Sequence, residues 1–193
     1  MTLEPSPVDT ADLTRLHARL TAAAADADLL DVAYRIVDTP VGPLLLAATP
    51  AGLVRVAYAV ENHDAVLDRL AADLSPRILA APARLDTAAR QLDEYFRGTR
   101  TTFDLPLDLS LARGFRREVI THLPGYGRTA SYAEVAAVAG SPRAVRAVGT
   151  ACARNPLPVV LPCHRVVRGD GDLGRYVGGV EAKRALLRLE TAA

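Results

Sequence analysis

Cysteine is nearly absent from this chain of 193 residues, and the two present, Cys152 and Cys163, are too few for a disulfide framework. No Cys-x-x-Cys spacing accompanies them, and the four histidines, His17, His63, His122 and His164, are scattered. No metal site and no cofactor is therefore expected. No apolar run approaches the length of a membrane span, and the opening M-T-L-E-P-S-P-V-D-T lacks the basic start and apolar stretch of a secretory signal. These absences lead to the expectation of a soluble, cytoplasmic protein, and a monomer is expected. Lysine occurs once, at Lys183, so almost all the positive charge is arginine.

Half the residues are hydrophobic, enough to bury a real core in one large or two small domains. The formal net charge of +1 hides an asymmetry. Residues 111–193 carry thirteen Arg or Lys against six Asp or Glu, whereas residues 1–110 carry ten against sixteen. A basic half is the electrostatic footprint of a nucleic-acid-binding module, although solvated arginines on helix faces are the commoner reason for such an excess.

Residues 1–8 read as disordered. Asp9 reads as the N-cap of a helix to about Ala27, along which Leu13, Leu16 and Leu20 recur at helical spacing. Three short apolar runs follow, Val32 to Val37, Leu44 to Ala48 and Leu53 to Val60, parted by Pro and Gly turns, and predict an antiparallel meander. Helices are expected at about Asp64 to Leu74 and Leu85 to Phe96, with an extended piece near Ile78 and a strand-like alternation from Thr101 to Leu107. Glu61, His63 and Asp64 suit a polar turn capping a helix better than a metal cluster. Tyr34, Tyr58 and Tyr95 read as packing residues with hydroxyls at the surface, so the first 110 residues offer no chemistry.

The second half is helical and punctuated. Helices are predicted at Phe115 to about Leu123 and at Tyr132 to Val138, the latter opened by Ser131. Ala139-Gly140 makes a break, Ser141 reads as the next N-cap and Pro142 as the first helical residue, which together give a helix-turn-helix. A helical wheel turns Val145, Val148 and Cys152 inward and Arg143, Arg146, Ala147, Thr150 and Ala151 outward. An outward face of arginine and very small side chains suits close approach to a nucleic-acid groove, and an ordinary surface helix is the alternative. Cys152 reads as a small core residue. Gly169 to Gly171 looks like a hairpin, and the last helix, about Glu181 to Leu189, buries Ala182, Ala185, Leu186 and Leu189.

The most informative stretch is Asn155 to Val167, N-P-L-P-V-V-L-P-C-H-R-V-V. Leu157, Val159, Val160 and Leu161 read as a short buried strand stopped by Pro162, which would place Cys163 at a strand-to-turn corner. His164 offers a base beside the thiol, and Arg165 a positive field favouring thiolate. Taken alone, a buried structural cysteine would be the commoner reading.

L-P-C-H-R-V-V, with Asn155 before it and G-x-Y-x-G-G, Lys183 and Glu190 after it, resembles the O6-alkylguanine-DNA alkyltransferases. The resemblance runs from about Tyr34 to Glu190 and is specific from Ser131 onward. It implies that Cys163 accepts the alkyl group, that His164 is its base acting through a water, and that Glu190 orients the histidine. Asn155 would hold the turn; Tyr132 would protonate the departing guanine and help rotate the nucleotide; Arg146 would fill the gap in the base stack. Backbone groups of Cys163, Val166 and Val177 would read the base, with Tyr176 packing beside it and Lys183 supporting the pocket.

The partner so implied is double-stranded DNA containing O6-alkylguanine, with no membrane involved. The chain departs from the family pattern in a shortened segment before Tyr132, in Val177 where some members have serine, and in Arg175 where a smaller or neutral residue is expected. A transcription regulator, a lesion flagger without transfer and a Cys-His hydrolase are the competing readings. The flagger lacks the cysteine, the regulator would place base-reading polar side chains where this chain has alanines, and the hydrolase needs an oxyanion hole for which there is no signal. The expected architecture is a tail and helix over 1–30, an α/β domain with a small antiparallel sheet over 31–109, and a mostly α, winged-helix-like domain with a helix-turn-helix over 110–193.

Overall fold

The computed structural model describes residues 9–191; the disorder expected for residues 1–8 lies outside the described residues. The first helix, α1 (Thr10–Asp26), is capped by the Asp9 side chain, which accepts from the Ala11 N–H at 2.9 Å. Its leucines do not face the core: Leu13, Leu16 and Leu20 are each more than half exposed. The neighbouring face packs instead, with Ala24 buried and the His17 ring 2.6 Å from the Ala80 carbonyl on the edge of the sheet.

The meander forms as expected from its Pro and Gly turns. Strands β1 (Val32–Val37), β2 (Leu44–Thr49) and β3 (Gly52–Tyr58) pair antiparallel. The extended piece becomes β4 (Ile78–Ala80), parallel to β1, which gives the order β3-β2-β1-β4. Because side chains alternate across a sheet, the strands serve two cores. Leu45, Ala47, Val54 and Ala57 pack under α2 (His63–Asp73). Leu44, Leu46, Val56 and Tyr58 meet α3 (Asp86–Phe96) and also Leu157, Val159, Val160, Ala182 and Leu186. The two halves of the chain thus share one apolar core. The Thr101 to Leu107 alternation yields only a single bridge, Leu53 to Leu107, with no strand.

In the second half, α4 (Phe115–Thr121), α5 (Tyr132–Val138) and α6 (Val145–Ala153) surround Val119, Val135, Val148 and Cys152. Ser131 opens α5 with a capping box, its hydroxyl accepting from the Glu134 N–H while Glu134 accepts from the Ser131 N–H. Strand β5 (Ala130–Ser131) pairs in parallel with β6 (Val166–Val167), and α7 (Gly179–Thr191) closes the chain.

Four expectations are corrected here. Helix α6 begins at Val145, because Ser141 to Ala144 form a turn closed by the Ala144 N–H on the Ser141 carbonyl at 2.8 Å, so Arg143 lies on that turn. Its buried arc is also rotated: Ala151 is buried and Val145 exposed, since α6 packs against both α4 and α5. Leu157 to Leu161 is a buried turn. Pro156 and Pro158 have no N–H to give a ladder, Leu161 N–H returns to the Leu157 carbonyl at 2.7 Å, and Val159 takes φ +73. Gly169 to Gly171 is a turn whose two flanking segments do not pair with each other as strands, closed by Arg168 N–H on the Asp172 carbonyl at 2.9 Å.

Candidate active site

Cys163 opens a 3-10 turn, Cys163–Arg165, that the Asn155 side chain prepares. Asn155 Nδ2 donates to the Leu161 carbonyl at 2.7 Å and its Oδ1 accepts from the Leu157 N–H at 3.0 Å, so one buried amide satisfies both ends of the turn. Cys163 is 3 % exposed, at the floor of a cavity of about 740 Å³. Burial pushes the thiol up to about 11, against a hydrogen bond from Asn155 and the positive field of Lys183.

Behind the cysteine, His164 is fully buried and its Nε2 lies 2.8 Å from Glu190 Oε1. Burial works against charge on Glu190, but hydrogen bonds from His164 and Arg165 prevail and bring it down to about 2. An ionised carboxylate only accepts, so Nε2 carries the proton and Nδ1 is left as the unprotonated nitrogen, with no protein partner. That is the tautomer a base requires. Lys183, Leu186 and Glu190 share the inward face of α7, at spacings of one and two helical turns. Lys183 Nζ donates to the Val166 carbonyl at 2.6 Å and to the Leu173 carbonyl.

Arg165 differs from expectation. It is buried and forked onto Glu190, with Nε to Oε2 and Nη2 to Oε1 both at 2.8 Å, and its Nη1 reaches the Pro124 carbonyl. Its charge is thus spent on the carboxylate, and the cation acting on Cys163 is Lys183.

Glu190 also accepts from Tyr95, whose buried hydroxyl donates to Oε1 at 2.7 Å. The hydroxyl of Tyr58 lies 3.0 Å from that of Tyr176. The expectation that the Tyr58 and Tyr95 hydroxyls lie at the surface is therefore corrected. Nothing local marks Tyr95, one aromatic on an amphipathic helix, because its partner stands 95 residues away.

Tyr132, Arg146, Thr150, Tyr176 and Val177 border the cavity with Cys163. Arg143, Ala147 and Ala151 do not, and Val166 lies beneath it, buried in β6 with its carbonyl taken by Lys183. Among the described residues no group of three or more His, Cys, Asp or Glu could hold a metal, and no helix is long and apolar enough to cross a membrane.

The carboxylate makes a pH dependence. Glu190 is held below its ordinary 4.5 in the folded state, so its stabilisation is present at neutral pH and is lost as pH falls from about 4.5 to about 2. This amounts to about 3 kcal/mol. His164, which burial keeps below its ordinary 6.5, makes folding acid-sensitive in the same direction. Thermal midpoints measured from pH 7 to 2 should fall most steeply below about 4.5, and a flat profile there would sink the ionised-Glu190 account.

A buried thiol backed by histidine and carboxylate, under a cavity bordered by a helix-turn-helix, defines a DNA-binding protein with a cysteine nucleophile. Comparison with known proteins agrees. Residues 32–109 match the family described as 6-O-methylguanine DNA methyltransferase, ribonuclease-like domain, and residues 115–192 the corresponding DNA binding domain. A methylated-DNA–protein-cysteine methyltransferase of Mycobacterium tuberculosis is 38% identical over 160 residues, spanning 81% of this chain and 91% of that protein. The Mus musculus protein of the same name is 34% identical over 173 residues, spanning 83% and 82%. A crystal structure of Mycobacterium tuberculosis O6-methylguanine methyltransferase superposes with a TM-score of 0.71 at 37% identity, covering 83% of this chain and 93% of that one. One of Mycobacterium tuberculosis OGT in complex with DNA gives 0.69 at the same identity and coverage. The chain belongs to the methylated-DNA–protein-cysteine methyltransferase family.

Proposed function

We propose that this protein repairs double-stranded DNA directly, by moving the alkyl group of O6-alkylguanine onto Cys163 in a single, irreversible turnover. The observation that supports this best is the Cys163 sulfur at the floor of a cavity with Tyr132 and Arg146 on its border and the His164–Glu190 pair behind it.

The O6 adduct lies within the base stack, so the nucleotide must leave the duplex, at a cost of a few kcal/mol that is lower for a damaged pair. Arg146 enters the gap, and the small side chain of Ala147 with Thr150 lets α6 approach the groove, with Arg143 beside it on the turn. In the resting protein the sulfur is a neutral thiol, because burial disfavours its charge. His164 Nδ1 receives the thiol proton through a bridging water, and Glu190 stabilises the imidazolium. The thiolate attacks the alkyl carbon: an S–C bond forms, the C–O bond breaks, and the electron pair passes to the guanine.

Tyr132 supplies a proton to the departing base, which Tyr176 and the backbone of Val177 hold, over a floor that Lys183 supports through the Val166 carbonyl. The product is a thioether, which offers neither a thiolate nor a good leaving group, so each molecule acts once. This step takes place on a monomer in the cytoplasm and needs no metal or cofactor.

The test is a mass measurement. After incubation with duplex DNA carrying O6-methylguanine, the peptide containing Cys163 should gain one methylene, and Cys163→Ser should abolish the gain. Lesion binding without any mass gain would replace repair with lesion marking.

A further inference from the structure

Three arginines, Arg146, Arg168 and Arg175, border the Cys163 cavity, and no Asp or Glu does. A guanine base is uncharged, so reading the base leaves this concentration of charge unexplained. Arg146 is accounted for by the gap in the stack. Two arginines remain, and a nucleotide drawn out of the duplex brings two phosphodiesters with it, one on each side.

Arg168 and Arg175 stand at the two feet of one braced loop. The Arg168 N–H donates to the Asp172 carbonyl at 2.9 Å, and the Gly171 N–H returns to the Arg168 carbonyl at 3.0 Å. Side chains tighten the span: Asp170 Oδ1 accepts from the Asp172 N–H at 3.0 Å, and Asp172 Oδ1 from the Gly174 N–H at 2.7 Å. Lys183 fastens the loop from beneath through the Val166 and Leu173 carbonyls. The spacing of the two arginine stems is thereby set before DNA arrives, which lowers the ordering cost of binding.

Both guanidiniums are available. Arg175 makes no ion pair among the described residues, and Arg168 approaches only Asp172, at 3.7 Å with both side chains well exposed. A pair so open to water is weak and yields readily to a phosphate. The two cations also act on Tyr132: burial and the neighbouring sulfurs push its phenol up, and Arg168 and Arg175 oppose this.

We infer that Arg168 and Arg175 form a two-pronged clamp on the phosphodiesters flanking the extruded nucleotide. The clamp rests on the repair reading for its substrate, and it adds phosphate recognition at residues which that reading does not use.

Salt dependence tests it. Binding of the full-length protein to a duplex carrying O6-methylguanine is measured between about 50 and 200 mM salt, and each phosphate contact contributes about 0.9 to the log–log slope. Arg168→Ala and Arg175→Ala should each reduce the slope by about 0.9, and the double variant by about 1.8. The double Lys variant, which keeps the charge, should retain the slope, and Arg97→Ala, at an exposed arginine that ends α3, pairs with Asp93 and does not border the cavity, should not change it. In single-turnover transfer, the double Ala variant should lose far more rate on duplex than on free O6-methylguanine, which carries no phosphate.

An unchanged slope in the double Ala variant, an equal loss with Arg97→Ala, or equal slowing on duplex and free base would overturn the clamp. Mass gain on Cys163 reports the repair reading separately. Normal gain with an unchanged slope ends the clamp alone, and no gain in the unaltered protein ends the repair reading and the clamp's substrate with it.

Discussion

Glu190→Gln should lower the unfolding free energy by about 3 to 5 kcal/mol and slow alkyl transfer roughly 10²- to 10³-fold. The carboxylate accepts from His164, Tyr95, Arg165 and the Gly127 N–H, and its whole environment consists of donors. A glutamine must turn its NH₂ toward some of them, either Arg165 Nε and the Gly127 N–H on one side or His164, Tyr95 and Arg165 Nη2 on the other. It also leaves the buried Arg165 cation without a counter-charge. The stability loss follows from that uncompensated charge, and the rate loss from an imidazolium with no anion beside it. Urea unfolding and single-turnover kinetics on O6-methylguanine duplex measure the two separately. Transfer within about twofold of the unaltered rate would remove Glu190 from the proposed relay.

Gly178→Ala should cost about 2 kcal/mol of stability and slow transfer by about 10²-fold with little change in DNA affinity. A Cβ at Gly178 would stand 2.6 Å from the Tyr58 ring, and the ring has no retreat. Tyr58 is buried in the shared core, its N–H donates to Glu61 Oε1 at 2.9 Å, and its hydroxyl contacts Tyr176. The loop must give way instead, carrying Tyr176 and Val177 off the position from which they border the cavity. Tyr58→Leu introduced together with Gly178→Ala should recover part of both losses, since it removes the obstructing ring. If the pair is no better than Gly178→Ala alone, the clash is not the cause.

Both sites include a contact that crosses between the two halves of the chain, Tyr95 with Glu190 and Tyr58 with the Gly178 loop, and these are the contacts that reading the sequence does not supply. The meander, α5 with its Ser131 cap and the order of the helix-turn-helix were legible because each depends on local periodicity and turn chemistry. So were Cys163, His164, Asn155 and Glu190, which lie in a distinctive string of residues or at a fixed offset from it. Leu157 to Leu161 departs from the expected strand because a short apolar run suits a strand or a buried turn equally well, and where Asn155 sends its hydrogen bonds decides between them. The leucines of α1 show the same limit. Their spacing announces a helix, yet the edge of β4 takes the face carrying His17 and Ala24.

The sequence by itself determined most of the elements, the motif that carries Cys163 and His164, and the basic character of the half that holds it. Each of these is a property of neighbouring residues or of composition, and survives whatever the rest of the chain does. Tertiary structure alone decided that Arg165 turns away from the sulfur to grip Glu190, that Tyr95 supplies a donor to the same carboxylate, and which arc of α6 is covered. Those outcomes depend on side chains far apart in the chain competing for one buried acceptor or one packing surface, and only the packed chain settles such competition.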